Sequence, residues 1–347
     1  MPAMNQASPP TERFSSAIQD ATDAWQHGQS TTQWSHTALE QLTPGPFFGT
    51  TRELWLGPIQ VTHERLHQSF TYSGLPWKGC RVFVLFLPRD GTLHCDGRPL
   101  APGLLETHRW DSIGRVVCNR GVESALLAID EKFLSAHTEP ALGHDPFIRL
   151  RDPAILSANP AVTREFSQGI LGLLDSVQQD SSLITAEHSR MALQGQILDM
   201  LLSVMEGAGH SANKLPHSST RGYVVEKAVE LMEARLAEPI SLADICGALR
   251  ICSRTLRYSF EQVLGVSPAR YLLARRLNGA RRDLLCGSGE GTIEDVAFRW
   301  GFWHMSRFAR FYRETFGERP SDTWRRLKRE GEALTTLPSL SRKSDAA

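Results

Sequence analysis

Thr292-Ile293-Glu294-Asp295-Val296-Ala297-Phe298-Arg299-Trp300-Gly301-Phe302 opens on a hydroxyl residue with a carboxylate three positions later and closes on a turn built around Gly301. The opening is the signature of a capped helix start, so this stretch predicts a short helix followed by a tight turn. The unit occurs twice. Ser241-Leu242-Ala243-Asp244-Ile245 aligns with Thr292 to Val296 at an offset of 51. Phe260 and Gly265-Val266-Ser267-Pro268 align with Tyr312 and Gly317-Glu318-Arg319-Pro320 at an offset of 52. Each copy reads as a short helix, a turn (Leu249-Arg250-Ile251 or Trp300-Gly301-Phe302) and a second helix, which is a helix-turn-helix.

The second helices carry the chemistry. In the first copy Leu256, Phe260 and Val263 form an apolar stripe that leaves Arg254, Arg257, Tyr258 and Glu261 on the opposite face. In the second, Phe308, Tyr312 and Phe316 form the stripe while His304, Ser306, Arg307, Arg310 and Arg313 project outward. Cations and hydrogen-bonding groups at i, i+3 and i+4 follow the floor of a DNA major groove, where Arg reaches guanine O6 and N7. The bland alternative is a solvated helix face, and duplication within a basic segment argues against it. Ser267 and Pro268 start a connecting helix that ends near Leu285, with Leu273, Leu277, Ala280 and Leu284 turned inward. Its roughly 18 residues span about 27 Å, close to the roughly 34 Å turn of B-DNA. Arg270, Arg275, Arg276, Arg281 and Arg282 on that helix are expected to meet phosphate, form salt bridges or stay solvated rather than read bases.

Charge follows the same division. Formal net charge over 347 residues is zero, yet residues 221–330 hold 20 Lys and Arg, 18 of them Arg, against 14 Asp and Glu, leaving 18 against 24 elsewhere. The C-terminal third therefore attracts polyanions and the remainder repels them.

The pattern Ile293-Glu294-Asp295-Val296-Ala297, Gly301-Phe302, Phe308, Phe316-Gly317 and Pro320-Ser321, with a weaker copy 51 residues earlier, resembles the AraC/XylS family of bacterial transcription regulators. The likeness covers Gly222 to Arg329. It implies base reading by Arg254, Arg257 and Tyr258 and by Met305, Ser306, Arg307 and Arg310, with His304 beside them. It also implies double-stranded promoter DNA and RNA polymerase as partners, with activation of transcription as the outcome. Arg250 departs from the pattern, since the first turn often has Gly there. Leu42-Thr43-Pro44-Gly45-Pro46-Phe47-Phe48-Gly49, Glu53-Leu54, Ile59-Gln60-Val61 and Arg299 to Met305 are similar to the ethanolamine-utilisation regulators of that family. That likeness implies a divergent cupin-like sensor, and only the architecture is carried over, not the inducer.

Upstream of the repeat, residues 1–30 are rich in Ser, Thr, Gln and Pro and read as a disordered leader. Residues 31–150 read as a β-rich sensor domain of barrel or sandwich type. The run Arg81-Val82-Phe83-Val84-Leu85-Phe86-Leu87 and the runs at 116–118 and 125–129 are strands, and 88–91 is a turn. Phe166, Ile170, Leu173 and Val177, then Leu193, Ile197, Leu201 and Val204, mark two amphipathic helices in 155–206. The second is apolar on several faces through Met191, Leu198, Met200, Leu202 and Met205, which predicts homodimerisation. Residues 207–221 have linker composition, 222–329 hold the DNA-binding domain and 330–347 a flexible tail. The fold class is α+β.

Several functions are excluded or weighed. No apolar run reaches membrane-spanning length and no signal sequence stands at Met1 to Arg13, so a cytoplasmic protein is expected. Cys80, Cys95, Cys118, Cys246, Cys252 and Cys286 stand singly and read as buried reduced thiols. Their spacing argues against the zinc-dependent DNA alkyl-repair regulators, which join a similar repeat to a thiolate cluster. A metal-dependent cupin enzyme would draw on His63, His67, His94 and His108, but two His one residue apart with a nearby Glu are absent. An effector-independent architectural DNA binder remains the other alternative, against which a separate sensor-sized domain counts. The reading is a transcription regulator with no catalytic residues, metal or cofactor, governed by a small-molecule effector of unknown identity. Trp34, Trp55, Trp77 and Trp110 are candidates to line its pocket or pack the core.

Overall fold

The computed structural model describes residues 13–30, 34–87, 92–100, 103–111, 115–142, 154–156, 159–207, 212–213, 220–286 and 291–326. The N-terminal half opens with β1 (Phe14–Ala21), α1 (Ala24–Gly28), β2 (Ser35–Gln41), β3 (Gly49–Leu56), β4 (Ile59–Leu66) and β5 (Phe70–Leu75). It continues through β6 (Cys80–Leu87), β7 (Thr92–Cys95), β8 (Arg98–Leu100), β9 (Leu105–Arg109), β10 (Val116–Asn119) and β11 (Val122–Asp130). Next come α2 (Glu131–Leu142), β12 (Ala154–Leu156), α3 (Pro160–Gln179), α4 (Ser182–Thr185), α5 (Glu187–Gly207) and β13 (Ala212–Asn213). All strand pairs are antiparallel. One sheet runs β1-β3-β4-β11-β6-β9-β12-β13 and the other β2-β5-β10-β7-β8.

The unbroken apolar run in β6 has a direct cause. Val82, Val84 and Phe86 face the interior between the sheets, with Trp55, Phe70 and Trp77. Phe83 and Leu85 face the other way, into a core completed by Phe166, Ile170, Leu173, Ile197, Leu201 and Val204 of α3 and α5. A strand buried on both faces loses the polar half of its alternation.

Four expectations need correction or fall outside the described residues. Residues 13–30 are not a loose leader, since β1 pairs with β3 from Phe14↔Leu56 to Ala21↔Gly49. Asp23 caps α1 by accepting from the Gln26 N–H at 3.0 Å. A polar edge strand with one solvated face has the composition of a leader, which hid it. The wide apolar arc of α5 is taken up within the chain: Ile197, Leu198, Leu201 and Val204 are buried in the core above, while Met191 is exposed. Of the expected linker, residues 208–211 and 214–219 lie outside the described residues, Ala212–Asn213 pair with β12, and helix begins at Thr220. Residues 1–12, 88–91, 143–150 and the tail at 330–347 also lie outside them.

The described part of the C-terminal third is helical: α6 (Thr220–Ala234), α7 (Leu242–Leu249), α8 (Ser253–Val263), α9 (Pro268–Cys286), α10 (Ile293–Arg299) and α11 (Met305–Phe316). It holds two separate apolar clusters. The first gathers Val225, Met232, Ile245, Leu256, Phe260 and Tyr271 and includes Leu42 and Val117 from the N-terminal half. The second gathers Leu277, Leu284, Val296, Phe302, Phe308 and Tyr312. The connecting helix α9 feeds both, its first turns into one and its last into the other. No helix among the described residues is long and apolar enough to cross a membrane.

Candidate nucleic-acid interface

Both copies begin as their sequence dictates. The Ser241 hydroxyl accepts from the Asp244 N–H at 3.1 Å while Asp244 accepts from the Ser241 N–H at 2.9 Å. Thr292 and Asp295 repeat the exchange at 3.2 and 2.7 Å. Two otherwise orphaned backbone donors are satisfied at each helix start. The turns differ. Arg250 sits in the left-handed region at φ +52°, where a Cβ is unfavourable, and Gly301 occupies the equivalent place at φ +75°.

The turns aim α8 and α11 so that their apolar stripes are buried and their charged faces are open. Arg254, Arg257 and Tyr258 on α8 are exposed, as are His304, Ser306, Arg307 and Arg310 at the start of α11. Arg257 lies 3.3 Å from Glu261 and Arg310 lies 3.8 Å from Glu314, both one helical turn away. Exposed pairs of this kind exchange easily for a phosphate or a base edge. Arg221 stacks over the Tyr258 ring at 4.7 Å, and Arg310 over Phe311 at 4.9 Å. Met305 differs from the other expected readers: it is half-buried and packs on the second cluster. Trp303 was not singled out by the sequence reading, yet it is 62% exposed beside His304 and stacks on Phe298 at 5.8 Å. An aromatic next to a helix cap is visible in sequence, but its exposure is not.

Three connector arginines are not free for phosphate. Arg275 pairs with Glu40 of β2 and, at 3.2 Å, with Glu233 of α6. Arg281 is buried against Asp23 and also meets Glu318 at 2.9 Å. Arg276 donates to the carbonyls of Leu236 and Glu238 at 2.9 and 2.6 Å. Arg282 is exposed and stacks over Trp300 at 5.5 Å. Inward positions of α9 carry polar as well as apolar groups, and helical periodicity detects only the latter.

A second feature lies between the two N-terminal sheets. His27, Trp34, Leu39, Glu64, Phe70, Tyr72, Phe86, Glu106 and His108 line a cavity between the two sheets. Burial raises the Glu106 carboxyl to about 7 and lowers the His108 imidazole to about 4. Of the four tryptophans, Trp34 lines the cavity and donates to the Gln60 side chain at 3.0 Å, while Trp55 and Trp77 are core. The four histidines stay apart. His63 bonds Glu123 at 3.0 Å, His67 packs on Phe48, and His94 lies outside the cavity lining that holds His108. Among the described residues no three His, Cys, Asp or Glu could share a metal ion. Cys80, Cys95 and Cys118 are buried, whereas Cys252 and Cys286 are exposed, against expectation.

A family described as a helix-turn-helix domain matches residues 245–326. A probable thc operon regulatory protein of Rhodococcus erythropolis is 32% identical over 206 residues, 57% of this chain and 60% of that protein. XylDLEGF operon transcriptional activator 2 of Pseudomonas putida is 32% identical over 152 residues, 41% of this chain and 87% of that protein. A crystal structure of a probable AraC family transcriptional regulator from Rhodopseudomonas palustris is 32% identical, with 30% of this chain and 97% of that one covered and a TM-score of 0.29. The chain thus spans 60% of the Rhodococcus relative's length.

Proposed function

The chain belongs to the AraC/XylS family of transcriptional regulators, and from that premise we propose that it is a sequence-specific DNA-binding regulator whose two helix-turn-helix units enter successive major grooves of one promoter site. The observation that carries the reading is the duplicated unit, capped alike at Ser241 and Thr292, with both second helices presenting open cationic faces. Arg254, Arg257 and Tyr258 read one half of the site, and Ser306, Arg307 and Arg310, flanked by His304 and Met305, read the other. The N-terminal half is the sensor, and a small-molecule effector occupies the cavity lined by Trp34, Glu64, Tyr72, Glu106 and His108. The function is binding linked to binding rather than catalysis, carried out in the cytoplasm with RNA polymerase as the activated partner. Within the family we place the chain with the ethanolamine-utilisation regulators, on the residues quoted at 42–49, 53–54, 59–61 and 299–305.

The protein works as a homodimer in this reading. With Leu198 buried in its own chain, the face left for a partner on α5 is Met191, Gly195 and the half-buried Leu202. Light scattering that finds only monomers at micromolar concentration would remove that part. Selection of bound fragments from a random duplex library tests the rest: enrichment of a two-part motif with its halves about one helical turn apart supports the function, and recovery of no enriched sequence overturns it.

A further inference from the structure

The contact between the two halves of the molecule serves neither reading face, yet it is built from buried charge. Arg275 joins Glu40 of the sensor to Glu233 of α6, the helix packed into the core of the first helix-turn-helix unit. Arg281 joins Asp23 of the sensor to Glu318 at the end of the second. Each arginine therefore ties one sensor carboxylate to one carboxylate of a different unit. Between them, Asn278 on α9 donates to the Gln41 carbonyl at 2.8 Å and accepts from the Gln41 N–H at 3.2 Å. The Gln41 side chain reaches the Thr315 carbonyl at 3.2 Å, and the Gly45 N–H reaches the Glu314 carbonyl at 3.3 Å. On the other flank Leu42 and Val117 complete the apolar core of the first unit.

We infer that the sensor is a brace across the two helix-turn-helix units, and that Arg275 and Arg281 are positioning residues that set the spacing at which the recognition helices meet DNA. The inference rests on the DNA-binding reading above. Three observations carry it. The two units keep separate apolar cores joined by the single helix α9, so the contacts beside that helix decide how firmly one is held against the other. The sensor touches both units at once. Removing a sensor acid leaves each arginine an acid of its own unit, so the contact can loosen without orphaning a buried charge, the usual reason such pairs are rigidly structural. The brace also shares elements with the cavity. His27 on α1 and Leu39 on β2 line it, four residues from Asp23 and one from Glu40. Successive residues of a strand point to opposite faces, so a ligand pressing on Leu39 displaces the backbone that holds Glu40. The effector and the unit spacing are thereby linked.

The test uses the full chain with Asp23→Asn and Glu40→Gln together. Asn keeps the cap of α1, and Gln is nearly the shape of Glu. The probes are the selected two-part duplex and versions with one base pair inserted or removed between its halves, each step moving them by about 3.4 Å and about 35°. The wild type should prefer the original spacing by about tenfold or more, and the double variant by about twofold, with affinity for the original duplex little changed. Glu40→Gln alone, which leaves α1 untouched, should narrow the preference part of the way and guards against misfolding of the double variant. An equal loss on all three duplexes with the preference intact overturns the brace and leaves a structural contact. Failure to select any two-part duplex overturns the DNA-binding reading, and the brace falls with it.

Discussion

The two helix-turn-helix units start alike and are finished differently. Both open on the same reciprocal cap. The first turns through Arg250 in a left-handed conformation and fills its core with Leu256, Phe260 and Val263, drawing Leu42 and Val117 from the N-terminal half to complete it. The second turns through Gly301 and is closed by a ladder of rings, Phe302, Phe308, Tyr312 and Phe316, with successive centroids 4.9, 5.6 and 4.7 Å apart. One unit borrows its core and the other supplies its own. Leu42 and Val117 lie more than a hundred residues upstream of the first unit they complete.

The largest test of that contrast is truncation of the matched core positions. Phe308→Ala should destabilise by about 3–5 kcal/mol and Leu256→Ala by about 2–5 kcal/mol. Hydrogen exchange read by segment should show the first variant opening residues 293–316 and leaving 242–263 protected. The second should loosen 242–263 and, through Leu42, the end of β2. Equal loosening of both units in either variant would erase the distinction.

The turns give the next effect. Gly301→Ala places a Cβ at positive φ and 3.2 Å from the Arg276 guanidinium carbon, so a loss of about 1–2 kcal/mol is expected. Arg250→Gly should instead gain about 0.5 kcal/mol, the relieved strain being partly offset by the freer unfolded chain. Urea titration measures both, and a neutral Gly301→Ala would break the asymmetry.

The smallest effect should be equal in the two units. Ser241→Ala and Thr292→Ala each remove one cap and should cost about 1 kcal/mol. Hydrogen bonds from the Ser241 backbone and hydroxyl hold the Asp244 carboxyl below its ordinary value, and Thr292 does the same for Asp295. A depressed carboxylate contributes stability above its unfolded pKa and loses it as pH falls through the folded one, so both caps should weaken together in acid. Helicity measured against pH in the two variants, each lacking one cap, should give matching curves.

Much of this was legible in the residues. The capping boxes, both turns, the stripes at 256–263 and 308–316 and the strand at 81–87 follow from local sequence, though not that the strand is buried on both faces. What escaped had no local signal. β1 is a polar edge strand held by its neighbour, and Leu198 is buried by a helix and a sheet that are distant in sequence. Asp23, Glu40, Gln41 and Asn278 look like solvated polar residues until the two halves meet. The cavity combines His27 of α1, Glu64 of β4 and Glu106 and His108 of β9, three elements that no spacing in the chain brings together.

The proposed placement of α11 puts Arg310 against base edges in a major groove. Arg310→Ala and wild type should be titrated against the selected duplex and a scrambled one at two salt concentrations. A bidentate guanine contact is worth about 1–3 kcal/mol of discrimination, so affinity for the selected duplex should fall by that amount beyond any loss on the scrambled one, with relaxed preference at one or two base pairs. A loss by the same factor on both duplexes would contradict the placement of α11 in the groove and leave Arg310 as a phosphate contact.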